Sequence, residues 1–280
     1  MNNPMGVFAT CSLNAYILFR ASKGGISIKL LIDKSDDRMK YLESIMRERG
    51  YDAAAYDGAV GECDALIVSP AKRPDALCEI MERMPRGATL AGGQKADEVY
   101  AFAKKKGVRY VNAADDEVFA LKNAVATAEG ALMLMLEKTD KVLQGAAVAI
   151  FGFGRIAKSL SAMLYALGVR VHVWARNPID IANAARYGTH RLGEDDEALL
   201  DCEIVVNTVP ARIISNEQLE RLKKGTLLIE LASSPYGFDA EYASKIGLNS
   251  IVAAGIPAKG APYSAAVYLA DSVENKLLEV

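Results

Sequence analysis

Residues 146–177 read AAVAIFGFGRIAKSLSAMLYALGVRVHVWARN, and this stretch decides the fold. An apolar run ends at Phe151, a glycine-rich turn follows, and apolar residues then recur at helical spacing as far as Leu167. A second run, at 169–174, is rich in the β-branched residues that favour strands. The order strand, glycine turn, helix, strand predicts a βαβ unit, the building block of a dinucleotide-binding domain.

The turn carries the glycine pattern of dinucleotide-binding proteins, G-x-G-x-x-A. Gly152 is expected to make the tight turn, Gly154 to let the backbone approach a pyrophosphate, and Ala157 to let helix and strand pack closely. The N–H groups at the start of the helix suit phosphate oxygens. Because strands flank the pattern, we favour a nucleotide site over a glycine turn of some other α/β protein. The turn residues expected at the cofactor are Gly152, Phe153, Gly154, Arg155 and Ile156, with a plain surface arginine as the alternative for Arg155.

The residues after the second strand favour NADP over NAD. NAD-binding units usually carry Asp or Glu at this point to bind the ribose 2′-hydroxyl. This chain has Ala175, Arg176 and Asn177 instead. Without a carboxylate a 2′-phosphate is not repelled, and the guanidinium of Arg176 can pair with it. We therefore predict NADP(H), and the alternative is that Arg176 is a solvated surface residue.

The composition argues against several classes of protein. The 280 residues are 51% hydrophobic and 24% charged, which is typical of a globular protein. A net charge of −2 argues against nucleic acid or an anionic membrane as a partner. Four cysteines without motif spacing predict reduced thiols and a cytoplasmic location, and two histidines argue against a histidine-based metal site. Residues 1–27 resemble neither a signal peptide nor a membrane span, so we expect a dispensable extension.

Strands and helices alternate along both halves of the chain, which predicts parallel sheets covered on both faces. The expected fold class is α/β, with a C-terminal Rossmann dinucleotide-binding domain and a smaller, flavodoxin-like, doubly wound N-terminal domain. In the first half we predict strands at 29–32, 63–68, 88–91 and 109–111 and helices at 36–50, 74–84 and 98–106. Beyond the βαβ unit we predict a short edge segment at 189–192, strands at 203–208, 226–231 and 251–254, and helices at 179–187 and 265–278.

The domain boundaries follow from this pattern. Residues 1–28 are the extension, 29–124 the N-terminal substrate domain, and 125–263 the NADP-binding domain. The C-terminal helix, 264–280, is a candidate to return to the first domain. A long apolar helix at 118–136 bridges the two halves and predicts a hinge there.

The ends of the later strands complete the predicted cofactor site. Ligands of such sheets bind beyond the carboxyl ends of the strands. Polar or proline-containing segments follow three of these strands, at 208–210, 233–235 and 255–257, and we expect them around the same cleft as the glycine turn. Of these, the residues expected at the cofactor are Thr208, Val209, Pro210 and Ser233.

The segment AVATAEGALML at 124–134, taken with the glycine turn, resembles the D-2-hydroxyacid dehydrogenases. That resemblance implies a substrate domain that precedes the dinucleotide-binding domain. The catalytic arginine of those enzymes would fall at 232–234, which reads Ala-Ser-Ser, and their catalytic histidine near Gly255. No histidine follows His190 in this chain. The hydride-transfer architecture is therefore expected, and the 2-hydroxyacid chemistry is not.

Linked motifs over roughly 29–280 resemble, more closely, the A subunit of dipicolinate synthase. They appear in the family's order as NAVATAEG at 123–130, WAR at 174–176, NTVP at 207–210, ELASSPYG at 230–237 and AAGIPAKGAPYSA at 253–265. The resemblance implies oxidation of dihydrodipicolinate to dipicolinate, with NADP as hydride acceptor and the flavoprotein-like B subunit of that synthase as partner. A homo-oligomer is also left open.

The chain departs from that family pattern at several positions, two of which carry basic residues that are expected to bind substrate carboxylates. Ala126 replaces a proline, Ser234 replaces a basic residue, and Tyr263 replaces a lysine. A Gly-Gly pair after the first strand has become Lys34-Ser35. A different small dicarboxylate substrate is therefore an alternative, and Lys259 is a candidate for a displaced charge.

The oxidation needs a base for a ring proton and cations for two carboxylates. The candidates for catalytic roles, at the predicted hinge, are Lys122, Asn123 and Glu129, and Thr127 lies on the same helix face as Asn123. The competing interpretations are a solvated helix lysine for Lys122 and a helix-bridging carboxylate for Glu129. A further alternative is an NADP-binding structural or regulatory subunit whose partner performs the chemistry.

Overall fold

The computed structural model describes residues 28–187, 190–191, 197–253 and 255–278. Residues 1–27 of the predicted extension and both ends of the predicted segment 189–192 lie outside these residues. The strands are β1 (Lys29–Ile32), β2 (Asp52–Ala55), β3 (Ala65–Ile67), β4 (Thr89–Ala91), β5 (Arg109–Val111), β6 (Ala147–Phe151), β7 (Arg170–Trp174), β8 (His190–Arg191), β9 (Ile204–Asn207), β10 (Leu227–Glu230) and β11 (Asn249–Val252).

Eleven α-helices occur within the described ranges. They are α1 (Asp37–Glu48), α2 (Pro74–Arg83), α3 (Asp97–Lys106), α4 (Glu117–Lys138), α5 (Arg155–Ala166), α6 (Pro178–Ala184), α7 (Glu197–Leu200), α8 (Asn216–Arg221), α9 (Ala240–Lys245), α10 (Ile256–Gly260) and α11 (Pro262–Leu278). The chain divides into two compact units, of which unit 1 comprises Met1–Lys122 with Ala261–Val280 and unit 2 comprises Asn123–Gly260.

Unit 1 contains a five-stranded parallel sheet in the order β2-β1-β3-β4-β5. This is the flavodoxin-like doubly wound order, so the fold class expected for the first half is confirmed. Helices α1 and α11 pack together over the sheet and bury an apolar core that includes Ile32, Met39, Leu42, Leu269 and Val273. Burial of this apolar surface is the main favourable term for the unit.

A polar cluster joins α1 to α11 inside unit 1. The guanidinium of Arg49 lies 2.7 Å from Asp271 and 2.8 Å from Glu274. The Tyr51 hydroxyl donates to the second oxygen of Glu274 at 3.1 Å. Glu274 is only 2% exposed, so loss of Arg49 or Tyr51 would leave a buried carboxylate under-bonded.

Unit 2 contains a six-stranded parallel sheet in the order β11-β10-β9-β6-β7-β8. With β6 counted as the first strand, this is the strand order 6-5-4-1-2-3 of a Rossmann fold, as predicted. Every residue of the central strands β6, β9 and β10 is buried, because helices cover both faces.

Several predicted elements were wrong in detail. Strand β2 was missed because Asp-Ala-Ala-Ala has weak strand propensity and only Ala53 in it is buried. The predicted strand 63–68 is shortened to β3, and β11 begins two residues earlier than expected. Helices α7, α8, α9 and α10 were also missed; each has six residues or fewer, too short for helical periodicity to stand out.

Helix α4 is long and apolar enough to cross a membrane by length and composition alone. Its alanines Ala124, Ala126, Ala128 and Ala131 are nevertheless buried in the protein, as in the core helix of a globular domain. Gly130 lies among them because a Cβ there would come within 2.1 Å of Ile256 Cγ2 on α10. The small residues of α4 are therefore explained by close packing.

Candidate functional site

The glycine turn after β6 forms a cradle at the carboxyl edge of the unit 2 sheet. Gly152 has φ +95°, a backbone conformation that residues with a Cβ rarely adopt. Its N–H donates to the carbonyl of Trp174 on β7 at 2.7 Å, which fixes the turn against the neighbouring strand. A Cβ on Gly152 would lie 2.5 Å from Thr208 Oγ1 and 2.8 Å from Val209 Cγ2.

Gly154 differs from Gly152 because its missing side chain leaves open space. A Cβ added there meets no atom within 4 Å, and the residue precedes the first residue of α5. No side chain of Gly154 caps that helix end, and the first N–H groups of an α-helix have no acceptor within the helix itself. The arrangement fits a phosphate group, since backbone donors and the positive end of a twelve-residue helix converge beside an empty volume.

The loop after β9 borders the cradle and is held by its own hydrogen bonds. The N–H and the hydroxyl of Thr208 both donate to the carbonyl of Phe151, at 2.9 and 2.8 Å. Thr208 and Val209 are half-buried, and Pro210 is exposed. All three residues are predicted to lie at the cofactor, and the loop that holds them lies at the same edge of the sheet as Gly152.

A buried polar network, which sequence reasoning missed, ties this loop to the one after β10. Asn207 and Glu230 are 0% and 1% exposed, and the Asn207 amide donates to Glu230 Oε1 at 2.7 Å. The other Glu230 bonds come from the backbone N–H groups of Ala232, at 2.9 Å, and Gly237, at 2.7 Å. The Asn207 amide also bonds both backbone groups of Val209.

Glu230 is electrostatically unusual because it is buried next to hydrogen-bond donors. Burial raises its pKa above the ordinary value, and the hydrogen bonds from Gly237, Asn207 and Ala232 oppose part of that rise. The sequence signal for this network was that Asn207 and Glu230 are the polar final residues of two otherwise apolar neighbouring strands. The network sets the conformation of both loops beside the glycine turn.

The residues predicted to distinguish the cofactors follow β7. Ala175 is half-buried, and Arg176 and Asn177 are exposed. The Asn177 side chain accepts from the N–H of Ile179 at 3.0 Å, so it caps α6. Arg176 therefore presents a guanidinium at the end of the second strand, where a ribose substituent of a dinucleotide is bound in this fold.

The remaining predicted cofactor residues occupy different environments. Phe153 is buried, with the ammonium of Lys158 5.7 Å from its ring centroid. Arg155 is exposed as the first residue of α5, Ile156 is half-buried in its first turn, and Ser233 is exposed in the loop after β10.

The candidate catalytic residues all lie on α4. The ammonium of Lys122 is 3.1 Å from Asp271 and 5.3 Å from the Tyr268 ring centroid, so it is held by α11 within unit 1. Glu129 is exposed. Asn123 is half-buried, and its Oδ1 is enclosed without a hydrogen-bond partner among the described residues.

Thr127, which the spacing places on the same face of α4 as Asn123, is buried. Its hydroxyl donates to the Asn123 backbone carbonyl at 2.8 Å and is therefore used inside the helix. Of the residues on this helix, the Asn123 side chain has an unsatisfied acceptor and the Glu129 side chain is open to solvent.

Comparison with known proteins gives one family match, one similar sequence and two similar structures. The family of D-isomer specific 2-hydroxyacid dehydrogenase NAD-binding domains matches residues 105–236. The dipicolinate synthase A subunit of Bacillus subtilis (strain 168) is 33% identical over 205 residues, which are 71% of this chain and 68% of that protein. The structure of the dipicolinate synthase A subunit from Bacillus halodurans matches with a TM-score of 0.79 and 25% identity, over 90% of this chain and 98% of that one.

The structure of the Bacillus subtilis counterpart matches with a TM-score of 0.75 over 91% of this chain and 97% of that one. At 24% identity this second likeness supports the fold alone. The domain match covers the glycine turn and the strands around it, so unit 2 carries a dinucleotide-binding domain of the dehydrogenase type.

Proposed function

The chain belongs to the family of dipicolinate synthase A subunits, and from this premise we propose that it oxidises dihydrodipicolinate to dipicolinate with NADP as the hydride acceptor. The flavoprotein-like B subunit is the proposed partner, and the proposed setting is the cytoplasm during synthesis of spore dipicolinic acid. The observation that carries the proposal is the open cradle at Gly154, in a dehydrogenase-type domain of a member of this family.

NADP rather than NAD is supported by the chemistry after β7. Arg176 is exposed and cationic, and neither neighbour, Ala175 nor Asn177, is acidic. A 2′-phosphate beside Arg176 would gain a charge-assisted hydrogen bond, whereas the hydroxyl of NAD offers no charge for it. The cofactor, when bound, supplies the site that accepts a hydride from the substrate ring.

The substrate loses one hydride and one proton, so the chain must supply a proton acceptor. Glu129 is proposed for that role because its carboxylate is solvent-exposed and so able to pass the proton to water. Asn123 is proposed to orient the substrate, since its enclosed Oδ1 has no donor among the described residues. Lys122 can serve a substrate carboxylate only by exchanging its contact with Asp271.

Two positions that carry a basic residue in the family pattern are Ser234 and Tyr263 in this chain. The Tyr263 ring packs edge-on against Tyr41, with centroids 5.8 Å apart. Ser234 and Lys259 are both exposed. A dicarboxylate therefore needs cations from elsewhere in the chain or from the partner protein.

A second candidate function is to bind NADP and leave the chemistry to the partner. The observation that favours it is the engagement of Lys122 with Asp271 and Tyr268, which is a structural arrangement. The same assay separates the two candidates, because a chain that only binds the cofactor gives no turnover by itself.

The test is NADPH formation, followed by absorbance, when the purified chain is mixed with dihydrodipicolinate and NADP⁺, with and without the B-type partner. We expect NADPH and dipicolinate to form in equal amounts. The Glu129→Ala variant should lose turnover, while Glu137→Ala, an exposed glutamate further along α4, should keep it. If NADPH forms only with the partner and Glu129→Ala has no effect there, the non-catalytic alternative holds.

A further inference from the structure

Unit 1 has a crevice-forming edge of its own, at the carboxyl ends of β1 and β3. After β1 the chain passes through α1 to β2, which lies toward one edge of the sheet. After β3 it passes through α2 to β4, which lies toward the opposite edge. The strand order therefore reverses direction between β1 and β3. In open α/β sheets ligands bind outside the strand ends at such a switch point.

The two loops that meet there are joined by a network of charged and hydroxyl groups. Asp33, after β1, is 2.8 Å from the ammonium of Lys72 and accepts from the Ser35 hydroxyl at 2.5 Å. Asp36, which caps α1, accepts at 2.5 Å from the hydroxyl of Ser69, which follows β3. The aspartates come from one loop and Ser69 and Lys72 from the other, so the network spans the switch point.

Arg38 belongs to this network and is poorly satisfied in it. The residue is 4% exposed, and its Nη2 donates to Asp36 at 2.8 Å. Its Nε is enclosed and has no acceptor among the residues that the structure describes. Arginine carries five N–H donors, and a buried donor left without an acceptor is destabilising.

The position of Arg38 adds a second electrostatic cost. It lies in the first turn of α1, at the positive end of a twelve-residue helix, where a cation is disfavoured. Asp36 cannot fully compensate, because the same carboxylate also accepts from Ser69 and from the N–H of Met39. The guanidinium thus has donors to spare at the point where the sheet topology favours a ligand.

We propose that Arg38 and Lys72 form a carboxylate-binding site at this edge of unit 1, for a small dicarboxylate. The planar fork of Arg38 suits two carboxylate oxygens. Lys72 adds a point charge from the loop of Ser69, whose hydroxyl donates to the same carboxylate, Asp36, as Arg38 does. The network is open enough for exchange, since the side chains of Lys72 and Asp36 are each 21% exposed. A carboxylate takes the unused donors of Arg38 when the guanidinium turns toward the exposed side of Asp36.

The identity of the ligand rests on the proposed function. Dipicolinate carries two carboxylates, and two basic positions of the family pattern are Ser234 and Tyr263 in this chain. Arg38 and Lys72 supply the same number of positive charges from another part of the sequence. The loop between β1 and α1, just before Arg38, departs from the family pattern as well, with Lys34-Ser35 in place of two glycines.

The test is calorimetric titration of the full chain with dipicolinate, malonate and succinate, in the presence and absence of NADPH. Pyridine-2,6-dicarboxamide serves as the uncharged analogue. The variants are Arg38→Gln, Arg38→Lys and Lys72→Gln, and the matched control is Lys40→Gln, which removes an exposed positive charge from the same helix. Thermal melting and NADPH affinity are measured for every variant.

We expect dipicolinate to bind the wild type and Lys40→Gln within twofold of each other, and the dicarboxamide not to bind. Arg38→Gln and Lys72→Gln should each weaken dipicolinate by roughly tenfold or more, the size of a lost charged hydrogen bond. Arg38→Lys should fall between the wild type and Arg38→Gln, because it keeps the charge and loses the fork. NADPH affinity should be unchanged in every variant. A general loss of structure would lower it, so this measurement separates a lost ligand contact from misfolding.

Equal dipicolinate affinity in the wild type, Arg38→Gln and Lys72→Gln overturns the site, and so does a wild type that binds none of the three acids with or without NADPH. If Arg38→Gln does not fold, Lys72→Gln alone decides. Binding of malonate or succinate but not dipicolinate, lost in either variant, keeps the site and overturns dipicolinate synthesis as the function. If both variants turn over dihydrodipicolinate with an unchanged KM, the proposed function holds and the proposed site at Arg38 and Lys72 is overturned.

Discussion

Replacing Gly152 or Gly154 with alanine should separate the two roles of the glycine turn. At Gly152 the residue must hold φ +95°, which costs about 1–2 kcal/mol for a residue with a Cβ. The new methyl also meets Thr208 Oγ1 at 2.5 Å, and Thr208 is held by bonds to Phe151. Overpacking of this kind costs about 1–3 kcal/mol, so we expect a total loss of about 2–5 kcal/mol in the free energy of unfolding.

At Gly154 the same substitution should leave the fold intact. Its φ of −78° and ψ of −166° suit alanine, and the methyl meets no atom within 4 Å. Stability should therefore stay level or rise by up to about 1 kcal/mol through the unfolded state. The methyl fills the space proposed for the pyrophosphate, so NADPH affinity should fall at least tenfold, which is about 1.4 kcal/mol.

Calorimetric melting and NADPH fluorescence titration measure both effects. At roughly 2–4 °C per kcal/mol, the melting temperature of Gly152→Ala should fall by at least about 4 °C, and that of Gly154→Ala should not fall. A Gly154→Ala variant that binds NADPH within twofold of the wild type would refute the assignment of the pyrophosphate to this turn. An unchanged melting temperature in Gly152→Ala would refute the steric argument.

Three further outcomes follow from the same structure. Arg176→Ala should weaken NADPH by about 1.5–3 kcal/mol and leave NADH nearly unchanged in titration, whereas Arg186→Ala, on an exposed turn, should alter neither. Asn123→Ala should lower turnover of dihydrodipicolinate in steady-state assays while NADPH affinity stays within about twofold, under roughly 0.5 kcal/mol. Because burial raises the pKa of Glu230 above 4.5, the folded chain holds that proton more tightly than the unfolded chain. Its stabilising contribution should be full below pH 4.5 and fall as the pH rises through the raised pKa. Denaturant unfolding at a series of acid pH values should show this decrease in the free energy of unfolding for the wild type and not for Glu230→Gln.

The sheets could be predicted because their patterns are local. The strands β1 and β5 have the predicted bounds, and the unit 2 strands were found within two residues, since buried parallel strands are continuous apolar runs between turn residues. Strand β2 was missed because an edge strand with one buried residue, Ala53, lacks such a run. Its register is set instead by pairing with β1, a contact between distant parts of the sequence.

Within the candidate site, too, the residues that depend on local sequence were predicted and those that depend on distant partners were not. The glycine turn could be predicted because each of its glycines acts within a few residues of its own position. The roles of Glu230 and Arg38 were missed, because a carboxylate or guanidinium in a single sequence is taken as a surface residue by default. For Glu230 the one sequence signal was its place as the polar end of an apolar strand. Their importance comes from burial together with partners that are distant in sequence, such as Asn207 for Glu230. For Arg38, the nearby Asp36 accepts a hydrogen bond from Nη2. The enclosed Nε has no acceptor among the described residues, and this is the reason to propose a ligand contact there.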